Sequence, residues 1–531
     1  MAIRFGIDLG TTYSCVAYIN EDGKAETISN SEGKKTTPSV IFFDSETSQL
    51  VGDEAKEYAL ANPEKSVSFI KREMGVKDYK REIYGRGYRP EELSAKILKK
   101  LVQDANRALH EQKVISEDEE VNQAVITCPA YFGMAEKDAT KNAGEIAGLE
   151  VLDIINEPTA AAIYYGQHEG DNGAKRILVY DLGGGTFDIT VMDIDGNNVS
   201  VVCTGGDKFL GGKDWDEATV KLLLEKWQDD NDSDEDITTV LETKAAMMGA
   251  AEKAKIQLTS KEDARINFMH QGTSYRSKEP LTRADFDKAT EGLLLKTIEM
   301  TDLCMEDMRK KDSRPIDEII LVGGSTYMPQ IKSKLQEKYG LPVSAWEPNE
   351  AVAKGAAIYA STLTVKKDEA GKIVSGATEG KLNITNVSSR SYGINAISGD
   401  KEIIANFILH NDELPKTVEQ VFGIYSDDTR SLPLDLYETT SSEMTIDDPE
   451  QVQEILKKPV KSYTMNIDGV LNREDHLVVK ITIENNGLLT LEAEDSKYHK
   501  KASFSYDTST GGMGEEELRI AKASESKSTV E

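Results

Sequence analysis

Two glycine- and threonine-rich segments carry the residue types that a phosphate site needs. The first runs from Asp8 through Gly10, Thr11, Thr12 and Tyr13, and the second runs from Asp181 through Gly183, Gly184, Gly185 and Thr186 to Asp188. Glycines let backbone N–H groups approach a phosphate, and the threonine hydroxyls add donors. The aspartates cannot contact phosphate favourably, but they can hold a hydrated Mg²⁺. Together the segments predict a clamp for a magnesium-bound nucleotide.

Each segment alone is equally well explained as an ordinary tight turn, so the repetition carries the argument. Residues 5–16 and 178–189 both read as strand, aspartate, polar turn and strand. Residues 148–165 and 340–359 both read as strand, proline-containing loop and alanine-rich helix. Chance explains either echo by itself, but the same order in both halves favours an internal duplication. Two similar lobes would place the two hairpin turns on opposite sides of one cleft.

A third glycine turn contains Gly323, Gly324 and Ser325, after an apolar strand at residues 319–322. By itself this turn is best explained as the cap of the helix predicted near Met328. In a duplicated fold it is a natural seat for the nucleoside. A Gly-x4-Gly-Lys-Ser/Thr run does not occur, so the chain is not a P-loop enzyme.

The elements around these turns predict several regions. Helical spacing occurs at residues 90–110 and 237–258, and the acidic run before the latter is interpreted as a solvated loop. The composition changes after residue 364. We predict an α/β domain at 1–364, a polar linker at 365–385, a small all-β sandwich domain at 386–506, and a short helix with a polar tail at 507–531. Strand-like stretches lie at 403–409, 418–425, 478–483 and 488–493, the last two joined by a hairpin turn at 485–487.

Composition excludes several classes of protein. The 93 acidic and 63 basic residues give a net charge of −30, which disfavours nucleic acid and anionic lipid as partners. The N-terminus shows no secretion signal and no apolar run is long enough to span a membrane, so we expect a cytoplasmic protein. The four cysteines and six histidines are scattered, which indicates reduced, packed thiols and no zinc site.

The three turns, in this order, resemble those of the seventy-kilodalton heat-shock chaperone family of the DnaK type. The matching stretches are residues 7–14, 128–132, 156–162, 181–188 and 322–326. The resemblance is strong over residues 3–363 and traceable through the β-rich region. It implies an actin-like two-lobed α/β ATPase domain followed by a small all-β sandwich domain. Its implied ligands are ATP and Mg²⁺, and its implied function is ATP-dependent binding and release of unfolded polypeptides.

The resemblance also implies roles for individual residues. Lys71 would reach the γ-phosphate, Glu157 and Asp181 would orient the attacking water, and Thr186 would hold the γ-phosphate. Asp8, with Asp181 and Asp188 at longer range, would organise Mg²⁺. Positioning and charge neutralisation are what phosphoryl transfer requires. The implied adenosine contacts are Glu252, Lys255, Thr259, Tyr327 and Asn349. Without the resemblance, Lys71 is best explained as a solvated charge, Glu157 as a loop residue and the 252–259 residues as an exposed helix face.

The chain departs from the family at several positions. Tyr327 stands where an arginine is usual beside the adenine, Asn349 replaces an aspartate, and Lys137 replaces an arginine linked to Pro129. At 382–387, where the family has a leucine-rich segment, only alternate positions are apolar. Fewer buried leucines supply less coupling free energy between sites. Coupling between nucleotide and peptide is therefore expected to be weaker.

In the β-rich region, matching by position suggests that Ile397, Phe422, Tyr425 and Leu432 line or arch over a peptide groove. Membership of an ordinary sandwich core explains them equally well. The long helical lid of the family is missing, and only residues 513–519 resemble its beginning. Faster peptide escape follows from that, because little holds the groove shut.

Two other functions stay open at this point: a small-molecule kinase, and a nucleotide-gated scaffold or filament protein. Both explain an ATP cleft, but neither gives the β-rich region a purpose. The chaperone reading implies unfolded or extended polypeptide clients, a J-domain co-chaperone and a nucleotide-exchange factor as partners.

Overall fold

The computed structural model describes residues 3–76, 78–169, 173–367, 373–378, 382–485, 487–506 and 513–531. Its first part alternates strands and helices. These elements are β1 (Phe5–Asp8), β2 (Tyr13–Ile19), β3 (Ala25–Thr27), β4 (Thr37–Pro38), β5 (Val40–Phe43), β6 (Ser48–Val51), α1 (Asp53–Ala61), β7 (Ser66–Ser68), β8 (Arg81–Ile83), β9 (Arg86–Tyr88), α2 (Pro90–Glu111), β10 (Gln123–Cys128), α3 (Met134–Ile146), β11 (Glu150–Asn156) and α4 (Glu157–Glu169). The order β11–β10–β1–β2–β3, with β4 paired to β2, forms sheet 1.

The second part repeats this plan. Its elements are β12 (Lys175–Leu182), β13 (Phe187–Asp195), β14 (Asn198–Asp207), α5 (Gly212–Asn231), α6 (Leu241–Leu258), β15 (Asp263–Ala264), β16 (Asn267–His270), β17 (Thr273–Arg276), β18 (Leu281–Thr282), α7 (Arg283–Lys311), β19 (Glu318–Val322), α8 (Pro329–Tyr339), β20 (Val343–Ala345) and α9 (Ala351–Thr362). Sheet 2 has the order β20–β19–β12–β13–β14. In both sheets an antiparallel three-strand meander is extended by two parallel strands. This shared topology is what the predicted duplication requires.

Two alanine-rich helices, α4 and α9, pack together between the sheets. A Cβ placed on Gly355 of α9 would lie 1.7 Å from the carbonyl oxygen of Ala160 in α4, so the two backbones touch. Ala353 and Ala357 of α9 pack on Cys15 and Ala17 of sheet 1. Other residues of the same two helices share a core with sheet 2. Small side chains permit this close approach, and it fixes the two sheets relative to each other.

Local signals explain where the long helices begin. Pro90 occupies the first position of α2, where its missing N–H is not needed, and the Glu92 carboxylate accepts the Arg89 N–H at 3.0 Å. The helix predicted at 90–110 is therefore confirmed. The one predicted at 237–258 begins later, because a short 3₁₀ turn at Ile237–Thr239 precedes α6.

The third part is rich in strands. Its elements are β21 (Leu363–Lys367), β22 (Ile373–Thr378), β23 (Asn383–Thr385), β24 (Ser391–Ser398), β25 (Lys401–Ile408), β26 (Lys416–Gly423), β27 (Thr429–Pro433), β28 (Leu436–Thr439), β29 (Thr445–Ile446), α10 (Pro449–Leu456), β30 (Thr464–Leu471), β31 (His476–Ile483), β32 (Leu489–Asp495), β33 (Lys501–Tyr506), α11 (Glu515–Glu525) and β34 (Thr529–Val530). Two four-stranded sheets, β28–β24–β25–β29 and β26–β31–β32–β33, enclose a common core. Helix α10 corrects the prediction that this unit is all β; its one buried residue, Val452, packs on Ile404 and Tyr437.

The segment predicted as a polar linker is structured. β21 and β22 pair as antiparallel strands, and β23 adds to the free edge of β14 as a parallel sixth strand of sheet 2. Leu382 and Val387 are buried in the core that α4 and α9 share with sheet 2. The alternate apolar positions thus suit a half-buried edge strand. Residues 368–372 and 379–381 of the predicted linker lie outside the described residues, and the domain boundaries stay a prediction.

The predicted polar tail is also structured. Helix α11 packs through Ala521 and Met513 against Ala95 of α2 and Ile146 of α3. Lys96 of α2 and Glu525 of α11 form an ion pair of 2.8 Å, and both side chains are less than a tenth exposed. β34 then pairs with β6 of the sheet β34–β6–β5–β7. This segment therefore lies on the sheet 1 side of the molecule.

Candidate nucleotide site

The first two glycine turns meet directly. A Cβ added to Gly184 would lie 1.8 Å from Thr12 Oγ1, and one added to Gly185 would lie 2.2 Å from Thr11 Cγ2. Each turn joins the first two strands of its own sheet, as the hairpin pattern predicts. Because no side chain fits at either glycine, the turns can approach a shared ligand only through backbone groups and threonine hydroxyls.

Acidic side chains converge behind these turns. Asp181 and Asp188 are directly opposite each other on β12 and β13. Asp8 ends β1, and Thr127 donates a hydrogen bond of 3.4 Å to its carboxylate. Asp188 accepts the Ala130 N–H at 2.9 Å. Strand ends and hairpin register thus bring the predicted metal-binding carboxylates to one place.

Lys71 supplies a cation to this acidic site. It lies on a 3₁₀ turn at Ile70–Glu73, and its ammonium forms an ion pair with Glu157, the first residue of α4. Both side chains are buried. Because α4 follows β11 without a loop, Glu157 is held rigidly. The sequence reading that made Lys71 a solvated charge is wrong.

Burial and mutual repulsion dominate the electrostatics. Burial, reinforced by Glu157, raises the pKa of Asp8 to about 7. Burial and then Glu157 also raise the pKa values of Asp181 and Asp188 well above the usual range. For Lys71, burial acts to lower the pKa, but the carboxylates of Glu157 and Asp8 outweigh it and raise the pKa. One ammonium does not neutralise so many carboxylates, so a bound cation would relieve the site.

The third glycine turn completes the site from the sheet 2 side. Ser325 donates a hydrogen bond of 2.8 Å to the Gly183 carbonyl, which ties this turn to the second one. A Cβ on Gly323 would lie 2.6 Å from Asp181 Oδ1, and one on Gly324 would lie 2.9 Å from Asn349 Oδ1. Asn349 and the turn are therefore neighbours, as a shared nucleoside site predicts.

The residues predicted to contact adenosine divide into two groups. Lys255 lies in the site, since it donates to the Gly212 carbonyl at 2.9 Å and to Asp216 at 2.8 Å. Tyr327, at the end of the third turn, presents a half-exposed ring. Thr259 instead donates to the Ile256 carbonyl at the end of α6.

Glu252 spans the rim of the cleft rather than its floor. The Lys56 ammonium, carried by α1, lies 2.7 Å from Glu252 Oε1 and donates to the Tyr13 hydroxyl at 2.9 Å. The Tyr13 hydroxyl in turn donates to Glu252 at 3.3 Å. This bridge joins the two halves of the molecule over the glycine turns.

Sequence reasoning missed five residues of the site: Lys56, Arg72, Gly211, Gly212 and Asp216. Gly211 and Gly212 had a readable signal, because a glycine pair between a strand and a helix often marks a close approach. The other three are ordinary charged residues of helical segments, and only the folded arrangement brings them to the cleft.

The site fits a magnesium-bound nucleotide on the chemistry of its free groups. Thr12 Oγ1, Asp188 Oδ2 and Asp216 Oδ1 are buried without a hydrogen-bond partner among the described residues. Within those residues, no group of three or more His, Cys, Asp or Glu side chains is arranged to hold a metal directly. Carboxylates that act through water, together with phosphate oxygens, are the arrangement that Mg²⁺ prefers.

A protein-family model described as Hsp70 protein matches residues 4–84 and 77–531. The chain belongs to the Hsp70 family. The resemblance read from the three turns is thereby confirmed. Hsp70 proteins are chaperone-type ATPases that bind ATP with Mg²⁺. The mixed α/β structure, with its repeated sheets, agrees with the actin-like ATPase fold of the Hsp70 family.

The four residues predicted for an Hsp70 peptide groove lie in two environments. Phe422 stacks on Phe407 with ring centroids 5.9 Å apart, and Leu432 also packs on the core of the β-rich region. Ile397 and Tyr425 are 47% and 63% exposed. Two of the four thus support the core and two present apolar surface, which is compatible with both sequence interpretations.

The β-rich region contacts both sheets of the ATPase-like part. Asn411 accepts the Thr204 N–H of sheet 2 at 2.9 Å, and the Ser389 hydroxyl donates to the Phe132 carbonyl at 3.1 Å. Met134 lies in the core of the β-rich region. The five residues between Pro129 and Met134 therefore link Asp188, through the Ala130 N–H, to the β-rich region. No helix in the described part of this Hsp70 chain is long and apolar enough to cross a bilayer.

Proposed function

We propose that this protein hydrolyses MgATP slowly and uses the reaction to control the binding of unfolded or extended polypeptide segments in its β-rich region. The observation that carries the proposal is the buried Lys71–Glu157 ion pair where the glycine turns meet. A solvated surface lysine has no reason to be buried in an acidic cleft. The division into a nucleotide-binding domain, a linker and a peptide-binding domain is part of this proposal.

The residues of the cleft suit phosphoryl transfer to water. Backbone N–H groups of the glycine turns and the Thr11, Thr12 and Thr186 hydroxyls can bind phosphate oxygens. Lys71 places a positive charge where charge accumulates, and its fixed position avoids reorganisation during the reaction. Glu157 and Asp181 can orient a water molecule by accepting its hydrogen bonds. Mg²⁺, when bound, supplies neutralisation of phosphate charge, with Asp8, Asp181 and Asp188 holding its water shell.

Titration calorimetry with MgATP and single-turnover hydrolysis test the nucleotide site. We expect Lys71→Ala and Thr186→Ala to reduce hydrolysis by about 100-fold or more, since each removes a group that stabilises transition-state charge. Lys34→Ala is the matched control, because Lys34 forms an exposed ion pair with Asp53. No heat on titration, or normal turnover in both site variants, would contradict the assignment.

A peptide off-rate measured with and without MgATP tests the chaperone function. Faster release with ATP supports it, and J-domain proteins and nucleotide-exchange factors are the proposed partners. Transfer of phosphate to glycerol or a sugar would indicate a kinase. Polymers that sediment only with nucleotide, with no peptide binding, would indicate a scaffold.

A further inference from the structure

Arg72 connects the two halves of the cleft. It follows Lys71 on the 3₁₀ turn at Ile70–Glu73, and its side chain is 8% exposed. Its Nε donates to the Gly185 carbonyl at 2.8 Å, and its Nη2 donates to Asp214 at 2.7 Å. Both partners belong to the sheet 2 side, whereas the 3₁₀ turn belongs to the sheet 1 side. Arg72 is thus a buried cation that crosses the cleft.

Its partners form a closed set of hydrogen bonds. Asp214, in the first turn of α5, accepts the Gly211 N–H at 2.7 Å. The next two residues, Gly212 and Lys213, donate their N–H groups to the Gly183 and Gly184 carbonyls at 3.0 and 2.8 Å. A Cβ on Gly211 would lie 2.6 Å from the Gly185 nitrogen, so the two segments touch. Arg72 binds both segments of this set at once.

Two consecutive residues therefore direct their charges to opposite sides of the cleft. Lys71 pairs with Glu157 at the end of sheet 1, and Arg72 holds Gly185, whose carbonyl belongs to the peptide bond leading into Thr186. The short 3₁₀ turn couples the two side chains mechanically. A rotation that opened the cleft would break both bonds of Arg72, because neither partner lies on its own side.

We propose that Arg72 is a positioning residue that holds the second glycine turn, and with it Thr186, in register with Lys71 when the cleft is closed. This inference rests on the proposed ATP hydrolysis. Arg72 acts on the reaction through Gly185 and Asp214. Its guanidinium is suited to this because one planar group serves two acceptors in different segments, which an ammonium does not reproduce.

The test separates positioning from binding. We expect Arg72→Lys to lower the single-turnover hydrolysis rate by about tenfold or more with MgATP affinity unchanged, since misplacement of about 1 Å has large effects on rate. Asp214→Asn should have a smaller effect, because the bond to Gly185 stays. The double variant should be no slower than Arg72→Lys, since the two residues share one interaction. Arg86→Lys, at an exposed ion pair with Glu92, is the control.

Lys71→Ala is measured in the same series. If Lys71→Ala loses hydrolysis but Arg72→Lys keeps the wild-type rate, the role of Arg72 is wrong while the proposed function stands. If Lys71→Ala hydrolyses normally, the proposed function itself is wrong. A fall in affinity or melting temperature that accounts for the whole rate loss of Arg72→Lys makes it a structural residue and overturns the inference.

Discussion

Glu438 of the β-rich region lies against the first turn of α3, next to Gly133 and Met134. A Cβ on Gly133 would lie 2.6 Å from Glu438 Oε1. The Tyr392 hydroxyl donates to this carboxylate at 3.2 Å, and Arg390 lies 3.4 Å away. A carboxylate at a helix N-terminus is stabilising, so one side chain joins the β-rich region to the segment that reaches Asp188.

This contact should depend on pH. Burial, followed by the nearby Glu136 carboxylate, raises the pKa of Glu438 from 4.5 to about 7, against the opposing effects of Arg390, Tyr392 and the Met134 N–H. The contacting state therefore binds a proton more tightly than the separated state. Contact should be strongest at low pH, weaken by up to about tenfold per pH unit as pH rises toward 7, and level off above that. Energy transfer between labels at exposed positions 84 and 444 measures it.

Variants separate this carboxylate from other titrating groups. Glu438→Gln keeps an acceptor but loses the charge, so its contact should be independent of pH in this range. Glu136→Gln removes the repulsion and should move the midpoint to lower pH. Glu443→Gln, at an exposed position, should leave the wild-type profile. An unchanged profile for Glu438→Gln would show that another group is responsible.

Gly184→Ala should separate the glycine turns. The new methyl group would overlap Thr12 Oγ1, 1.8 Å from its ideal position, so one turn must move. We expect hydrolysis to fall by about tenfold or more, because phosphate contacts are lost together. Gly292→Ala is the control, since nothing lies within 4 Å of its Cβ position in α7. Equal rates for the two variants would disprove the contact between the turns.

Glu525→Gln should destabilise the docking of the C-terminal segment. It leaves the Lys96 ammonium buried without its ion-pair partner, although Gln49 still accepts a hydrogen bond at 2.9 Å. Breaking a buried pair costs about 3–5 kcal/mol, which hydrogen exchange of residues 515–530 should report as faster exchange. Glu516→Gln, at an exposed pair with Arg519, should change nothing measurable. Slow exchange in Glu525→Gln would argue against this packing.

Tyr425→Ala tests the peptide groove without disturbing the core. Its ring is 63% exposed, so the melting temperature should not change. If the ring arches over bound peptide, affinity should fall by about fivefold or more, as for an aromatic anchor. Tyr498→Ala removes another exposed ring and is the control for nonspecific effects. Peptide affinity equal to wild type would remove Tyr425 from the groove.

The repeated part of the molecule was readable from sequence because local pattern and global fold agree there. Alternating apolar strands, glycine turns and alanine-rich helices each specify their own conformation, so the hairpins at Asp8 and Asp181 could be placed in advance. The same signals brought the three glycine turns to one site. Lys71 and Glu157 were assigned through the family resemblance alone, since neither has a local signal for burial.

Contacts between distant segments were not readable. The strand Asn383–Thr385 is polar at every second position, which suits an edge strand only once β14 offers a free edge. Thr529–Val530 is too short to specify a strand and depends on β6 for its pairing. Arg72 and Lys56 are common helix-surface residues by type, and their roles arise from the closeness of the two halves.

The strand β34 gives the β-rich region a second anchor. The region starts from the outer edge of sheet 2, at β14, and the chain returns to β6, which leads through Gly52 into α1 and Lys56. It is therefore strung between the two halves like a strap fastened at both ends. Swinging the halves apart would pull on both fastenings, so tension applied to either end of the strap is felt at the Lys56–Glu252 bridge that closes over the cleft.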